Sequence, residues 1–234
     1  MSTVAESELN VKVLRVKEFA HLNGVKFTIE YSADLSIYQP GQHKGGTIVI
    51  FNGLSPIQAL ETEAHELFHA ILEQHYRVPV IKFTDKHLAD MAAHYGSEEA
   101  FSLDDMFCDN INNLIHHSIM LNLLYPKFDI PIVFYRYVIK LNFEKHIMSI
   151  SDTNNELYSF IDGIFFSDTL NTLNDQIVTD KFNGAANCER IKTLKLLSPV
   201  VNNIIVGIES QQLLLNLNKC LERIGFGQNT IEIL

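Results

Sequence analysis

Few cysteines, no apolar run long enough to cross a membrane and a deficit of basic residues set the first limits on this 234-residue chain. Cys108, Cys188 and Cys220 are odd in number and widely scattered. Such a set describes neither a disulfide framework nor a thiolate zinc cluster, and it reads as free thiols in a reducing compartment. Without a stretch of about 18 apolar residues, no membrane span is expected. Met1 to Asn23 alternates polar and apolar residues and lacks the compact apolar core of a signal peptide, so the expected location is the cytoplasm. Lysine and arginine total 18 against 28 aspartates and glutamates, a net charge of -10. Phosphate backbones need clustered cations, so no nucleic-acid partner is expected.

What is present is the balance of an ordinary folded protein, with 47% hydrophobic and 20% charged residues, which excludes disordered and collagen-like classes. No repeat or Gly/Ser/Pro linker appears. Residues from about Glu8 to Leu22 read as a helix stopping at Gly24. Val25 to Tyr31 alternates as a half-buried strand, and a turn-rich stretch follows, punctuated by Pro40-Gly41 and Gly45-Gly46. Thr47–Phe51 is a second strand, rich in β-branched residues. Ser55-Pro56 supplies an N-cap and a first-turn proline for a helix running to about Tyr76, with Ile57, Leu60, Ala64, Leu67, Phe68 and Ile71 as its core stripe. Pro79 marks its latest possible end. A shorter helix around Lys86 to Ala93, a turn at Tyr95-Gly96-Ser97 and a long helix from about Leu103 to Leu124 come next. From Pro131 the pattern is mainly helical. Ser198-Pro199 opens a last stretch that Gly225 and Gly227 close, and Leu213, Leu214, Leu215 and Leu217 read as core. The predicted class is α+β, a small sheet and a site-bearing helix followed by a mostly helical part, divided into residues 1–125 and 126–234.

The chemistry sits in Ala64-His65-Glu66-Leu67-Phe68-His69. Histidines four apart in a helix stack on one face, where two imidazoles can share a Zn²⁺ at about 2.0–2.1 Å each. Glu66 projects to an adjacent side, within reach of a water on the metal, which suits a general base for hydrolysis.

Strand Thr47–Phe51 followed by a helix carrying ETEAHELFHAILEQ resembles the zincin metallopeptidases, particularly the small members with a minimal catalytic domain. The resemblance covers roughly residues 25 to 124. It implies that His65 and His69 bind zinc, that Glu66 is the base, and that the strand before the helix offers its edge to an extended peptide substrate. The third histidine of metzincins is absent, since Ala70-Ile71-Leu72-Glu73-Gln74-His75 follows. The third ligand is therefore expected from a separate helix, as in gluzincin-like sites.

On the long helix, Asp105, Asp109, Asn112 and His116 share one sector, with Phe107, Ile111, Leu114 and Ile115 opposite. Gluzincins place a glutamate ligand on such a helix with an aspartate four residues later. Asp105 and Asp109 reproduce that spacing with Asp in the Glu position. Asp109 is the expected third ligand, with Asp105 or His116 as its support or replacement and Glu98 or Glu99 closer in residue type. His87 and His94, seven apart, could share a helix face, whereas His117 and His146 have no motif around them. Tyr95 or His116 is a candidate donor to an oxyanion. The expected function is a zinc-dependent peptidase acting on an intracellular protein or peptide. The alternatives are a zinc-binding regulatory or scaffold protein with little turnover, and a helical domain with no metal.

Overall fold

The computed structural model describes residues 6–78, 80–149, 156–185, 215, 218, 219, 221, 222 and 230–233. The chain groups by contacts into two units, neither of them continuous: Met1–Val78 with Ile119–Glu144, and Pro79–Ser118 with Lys145–Leu234. This grouping differs from the expected division at residue 125. The class is α+β with a mostly helical C-terminal part, as the patterning implies.

In the first unit, α1 (Glu6–Leu22) buries Leu9, Val13, Val16 and Ala20, a stripe at helical spacing that packs on α2 (Pro56–Gln74). α1 ends in a Schellman motif: Val25 N–H donates to the Ala20 carbonyl at 2.9 Å and Gly24 N–H to that of His21 at 3.1 Å. Gly24 takes φ +73° there, a conformation costly for any residue with a Cβ. Three strands follow, β1 (Thr28–Ser32), β2 (Gly41–Lys44) and β3 (Thr47–Phe51), in the order β1-β3-β2. β3 lies between a parallel neighbour and an antiparallel one, with Thr28 opposite Thr47 and Gly41 opposite Ile50. Its inward Ile48 and Ile50 are fully buried.

β2 was expected as turn. Gly-Gln-His-Lys carries no β-branched or aromatic residue, and it is held in the sheet by the two-residue turn Gly45-Gly46, with φ +57° and +86°, which joins it to β3.

α2 starts as expected. Ser55 caps it in a capping box with Gln58, and Pro56 occupies the first turn. Its burial differs from the expected single stripe: Ile57 is exposed, and every residue from Glu61 to Leu72 is buried. The unit is completed by a π-helical turn (Met120–Leu124), α5 (Tyr125–Phe128) and α6 (Val133–Ser149) as far as Glu144. Phe128 stacks on Phe68 of α2 and meets Phe19 of α1 edge-on.

The second unit contains β4 (Ile81–Phe83), α3 (Asp85–Tyr95), α4 (Ser97–Ile119) up to Ser118, α7 (Glu156–Leu173) and α8 (Gln176–Ala185). β5 (Ile231–Ile233) pairs antiparallel with β4. Both strands are three residues long and escape the sequence pattern. Gly96, at φ +92°, is the single residue between α3 and α4. Phe83, Phe107 and Phe160 stack in series along the interior. The stretch opened by Ser198-Pro199, its closing glycines 225 and 227, the leucine cluster apart from Leu215, Cys188 and Cys220 lie outside the described residues. Among those described, no helix is long and apolar enough to cross a membrane.

Candidate metal centre

α2 buries six polar side chains in nine residues: Glu61, Thr62, Glu63, His65, Glu66 and His69. Buried polar groups need partners, so each can be asked where its partner is. Glu63 pairs with Lys17 of α1, Oε1 to Nζ 2.6 Å. Glu61 accepts the Tyr135 backbone N–H at 2.8 Å and so caps the exposed N–H groups opening α6. Burial pushes the Glu61 carboxyl up to about 7, and the backbone donors of Tyr135 and Phe134 oppose that rise. These two glutamates are fastenings between helices.

The remaining groups converge. His65 and His69 face each other with Nε2 atoms 3.2 Å apart and rings edge to face. Two nitrogens bound tetrahedrally to one zinc at about 2.05 Å stand about 3.3 Å apart, so the pair already has the spacing of two ligands on one ion. The Nδ1 of His65 lies 2.8 Å from the Tyr125 hydroxyl, and the Tyr135 ring covers His65 with centroids 4.4 Å apart. Burial, with the nearby charges of Glu61 and Glu66, holds the Tyr125 phenol well above its ordinary range, so it remains protonated.

The third member is His117, near the end of α4. One ligand atom each from His65, His69 and His117 lies within 4.8 Å of the other two, and this buried group could hold a metal ion. His117 Nδ1 is engaged by the Asp168 carboxylate of α7 at 2.7 Å. Protonated at Nδ1, the ring keeps its Nε2 lone pair for a metal, the carboxylate–histidine–metal arrangement.

Glu66 differs from its neighbours. It is 7% exposed, and burial alone pushes its carboxyl up to about 8. Its close neighbour is the backbone of β2: a Cβ added to Gly41 would lie 2.6 Å from Glu66 Oε1.

The expected third ligand is absent from the group. Asp109 is exposed, and it precedes His117 by eight residues of α4, about 12 Å of helix rise. The polar sector around it does other work. Asn112 hydrogen-bonds both the N–H and the carbonyl of Ile81 in β4, at 2.9 and 3.1 Å, and Asp105 is exposed. His116 is buried but does not belong to the group. Glu98 is exposed, and Glu99 accepts a hydrogen bond from Tyr158. His87 is buried in α3 while His94 is exposed, so they form no pair. His146 bonds Asp162 at 3.0 Å. Sequence reasoning missed His117, Asp168, Tyr125 and Gly41. Neighbouring histidines late in a long helix were the one visible signal.

The expected substrate edge is also displaced. β3 is paired on both sides, so it has no edge to offer. The outer strand that packs against α2 is β2. Phe51 N–H donates to the Pro40 carbonyl at 2.8 Å, which fixes the alternation of the ladder. Gln42 and Lys44 therefore turn their backbone groups toward β3, and Gly41 and His43 turn theirs outward.

No protein-family model, curated protein or solved structure matches this chain.

Proposed function

We propose that the chain is a zinc-dependent hydrolase of the zincin type that cleaves a peptide bond. One observation carries this reading: two histidine nitrogens at ligand spacing share a buried helix turn with a carboxylate that burial pushes up to about 8. A helix interior has no structural use for such a carboxylate, since burying it costs free energy that no hydrogen bond returns. Three imidazoles suit zinc, and a set of three protein ligands leaves a position open for a reactant.

His65, His69 and His117 would hold the ion. Bound there, zinc would acidify a water and polarise a carbonyl. Glu66 would take the proton from that water and return it to the leaving amine. With zinc bound, Tyr125 would accept from His65 Nδ1 and Asp168 from His117 Nδ1, leaving the metal-facing nitrogens unprotonated. An extended peptide pairing with the outward groups of Gly41 and His43 would run past Glu66, with β2 taking the role expected of β3.

The test is Glu66→Gln, which preserves side-chain shape and all three histidines. Zinc content and fold should persist while cleavage falls at least about 100-fold. A processing function that survives Glu66→Gln but is lost in His65→Ala would refute hydrolysis and leave a metal-organised binding surface.

A further inference from the structure

The sequence pattern assigns Gly41 to a turn, but the structure places it at the start of β2. Its backbone is ordinary strand, outside the left-handed region, and it forms no turn. Close approach supplies the reason for a glycine. A Cβ at this position would stand 2.6 Å from Glu66 Oε1, 2.8 Å from Glu66 Cγ and 2.6 Å from Thr62 Cγ2. All three separations are shorter than packed atoms tolerate, so the strand can lie on α2 here only because residue 41 has no side chain.

Two residues along the same strand face, His43 makes a second tie. Its side chain is 3% exposed, and its Nδ1 lies 3.4 Å from Glu73 Oε1. Glu73 follows Glu66 by seven residues, two turns of α2, and so lies on the same side of the helix. β2 is thus seated on α2 by a bare backbone contact at one point and a His–Glu pair at the other.

We propose that Gly41 is the positioning residue for Glu66: the β2 backbone forms the wall that fixes where the carboxylate points, and the His43–Glu73 pair keeps that wall in place. This rests on the hydrolase reading above. Gly41→Ala then moves Glu66 without touching a histidine. A strand whose backbone also pairs with substrate would in this way set the base and the scissile bond from one element.

Two measurements test the proposal. The first is the urea stability of the metal-free protein with Gly41→Ala in the wild-type and Glu66→Ala backgrounds. Contact between the two residues predicts a clear loss in the first background and a smaller one in the second. The second is the pH titration of the absorption bands of the protein loaded with Co²⁺. Gly41→Ala should shift the midpoint in the same direction as Glu66→Gln while Co²⁺ affinity stays within about threefold, a result that general destabilisation does not produce. If Gly41→Ala does not fold, His43→Ala takes its place, keeps the glycine, and should give a smaller shift of the same sign. Equal stability losses in both backgrounds, or an unmoved midpoint in a folded variant where Glu66→Gln moves it, would overturn the role of Gly41 and leave the hydrolase reading standing. A midpoint that Glu66→Gln itself does not move would remove both.

Discussion

The identity of the third ligand can be decided by three substitutions with different expected magnitudes. The Nε2 atoms of His65 and His69 are 3.2 Å apart, and one ligand atom each of His65, His69 and His117 lies within 4.8 Å of the others, a group that could hold a metal ion. On the proposed ligand set, His117→Ala would remove one of three protein ligands. Asp168→Asn leaves that ligand and weakens the group that orients it. Loss of such an orienting partner lowers metal affinity about 10–100-fold, which is about 1.4–2.8 kcal/mol. Asp168→Asn should fall inside that range, and His117→Ala should exceed its upper limit. Asp109→Ala, about 12 Å away along α4, should change affinity by less than about twofold. The assay is competition for zinc against a chromophoric chelator, with far-UV circular dichroism as the control for folding. Wild-type affinity in a folded His117→Ala variant, or a large loss in Asp109→Ala, would refute this ligand assignment.

Three further outcomes follow from individual contacts. Tyr125→Phe leaves His65 Nδ1 without its 2.8 Å partner, so zinc affinity measured by the same competition should drop about 10-fold or more, with the fold retained. Ser55→Ala removes the oxygen that accepts the Gln58 N–H and should cost about 1 kcal/mol in urea unfolding. Glu61 has a folded pKa of about 7 against an ordinary value of 4.5, so between those values the folded state binds more protons than the unfolded one. Its contribution is therefore complete below about pH 4.5 and falls as pH rises to about 7, by about 3 kcal/mol in the metal-free protein. Glu61→Gln still accepts from Tyr135 but does not titrate. The stability difference between variant and wild type should grow in favour of the variant across that window, and parallel pH curves would contradict the assignment.

The elements that patterning predicts are those whose signals are local. Ser55, Pro56 and Gln58 lie within four residues and define the start of α2, and α1 ends through local bonds from Gly24 to His21 and from Val25 to Ala20. β2 is instructive because its signal was present but outweighed. A two-residue Gly-Gly link ahead of the β-branched strand Thr47–Phe51 is a hairpin signature, yet Gly-Gln-His-Lys has so little strand propensity that the turn reading prevails. β4 and β5 had no such signal. Their pairing joins residues about 150 positions apart, and no window along the sequence contains both.

The site divides on the same principle. His65, Glu66 and His69 are readable because helix geometry alone brings them together. The groups that support the histidines come from a distance: Tyr125 meets His65 across 60 positions and Asp168 meets His117 across 51. Asp109 is the expected ligand because of its sector and its four-residue spacing from Asp105, whereas His117 has no motif around it, and neither signal carries the height of a residue along the helix. Its sector is genuine, but Asn112 spends it on the Ile81 backbone, and the histidine that joins the group stands two turns further along the helix. A polar stripe on a long helix therefore identifies a face with partners, and which partners is settled one turn at a time. For Glu61 and Glu63 those partners are a helix N-terminus and a lysine, whereas Glu66 lies against the strand backbone at Gly41 and near Tyr125. That asymmetry among three buried glutamates in six residues is why the proposed base is Glu66 and not Glu61 or Glu63.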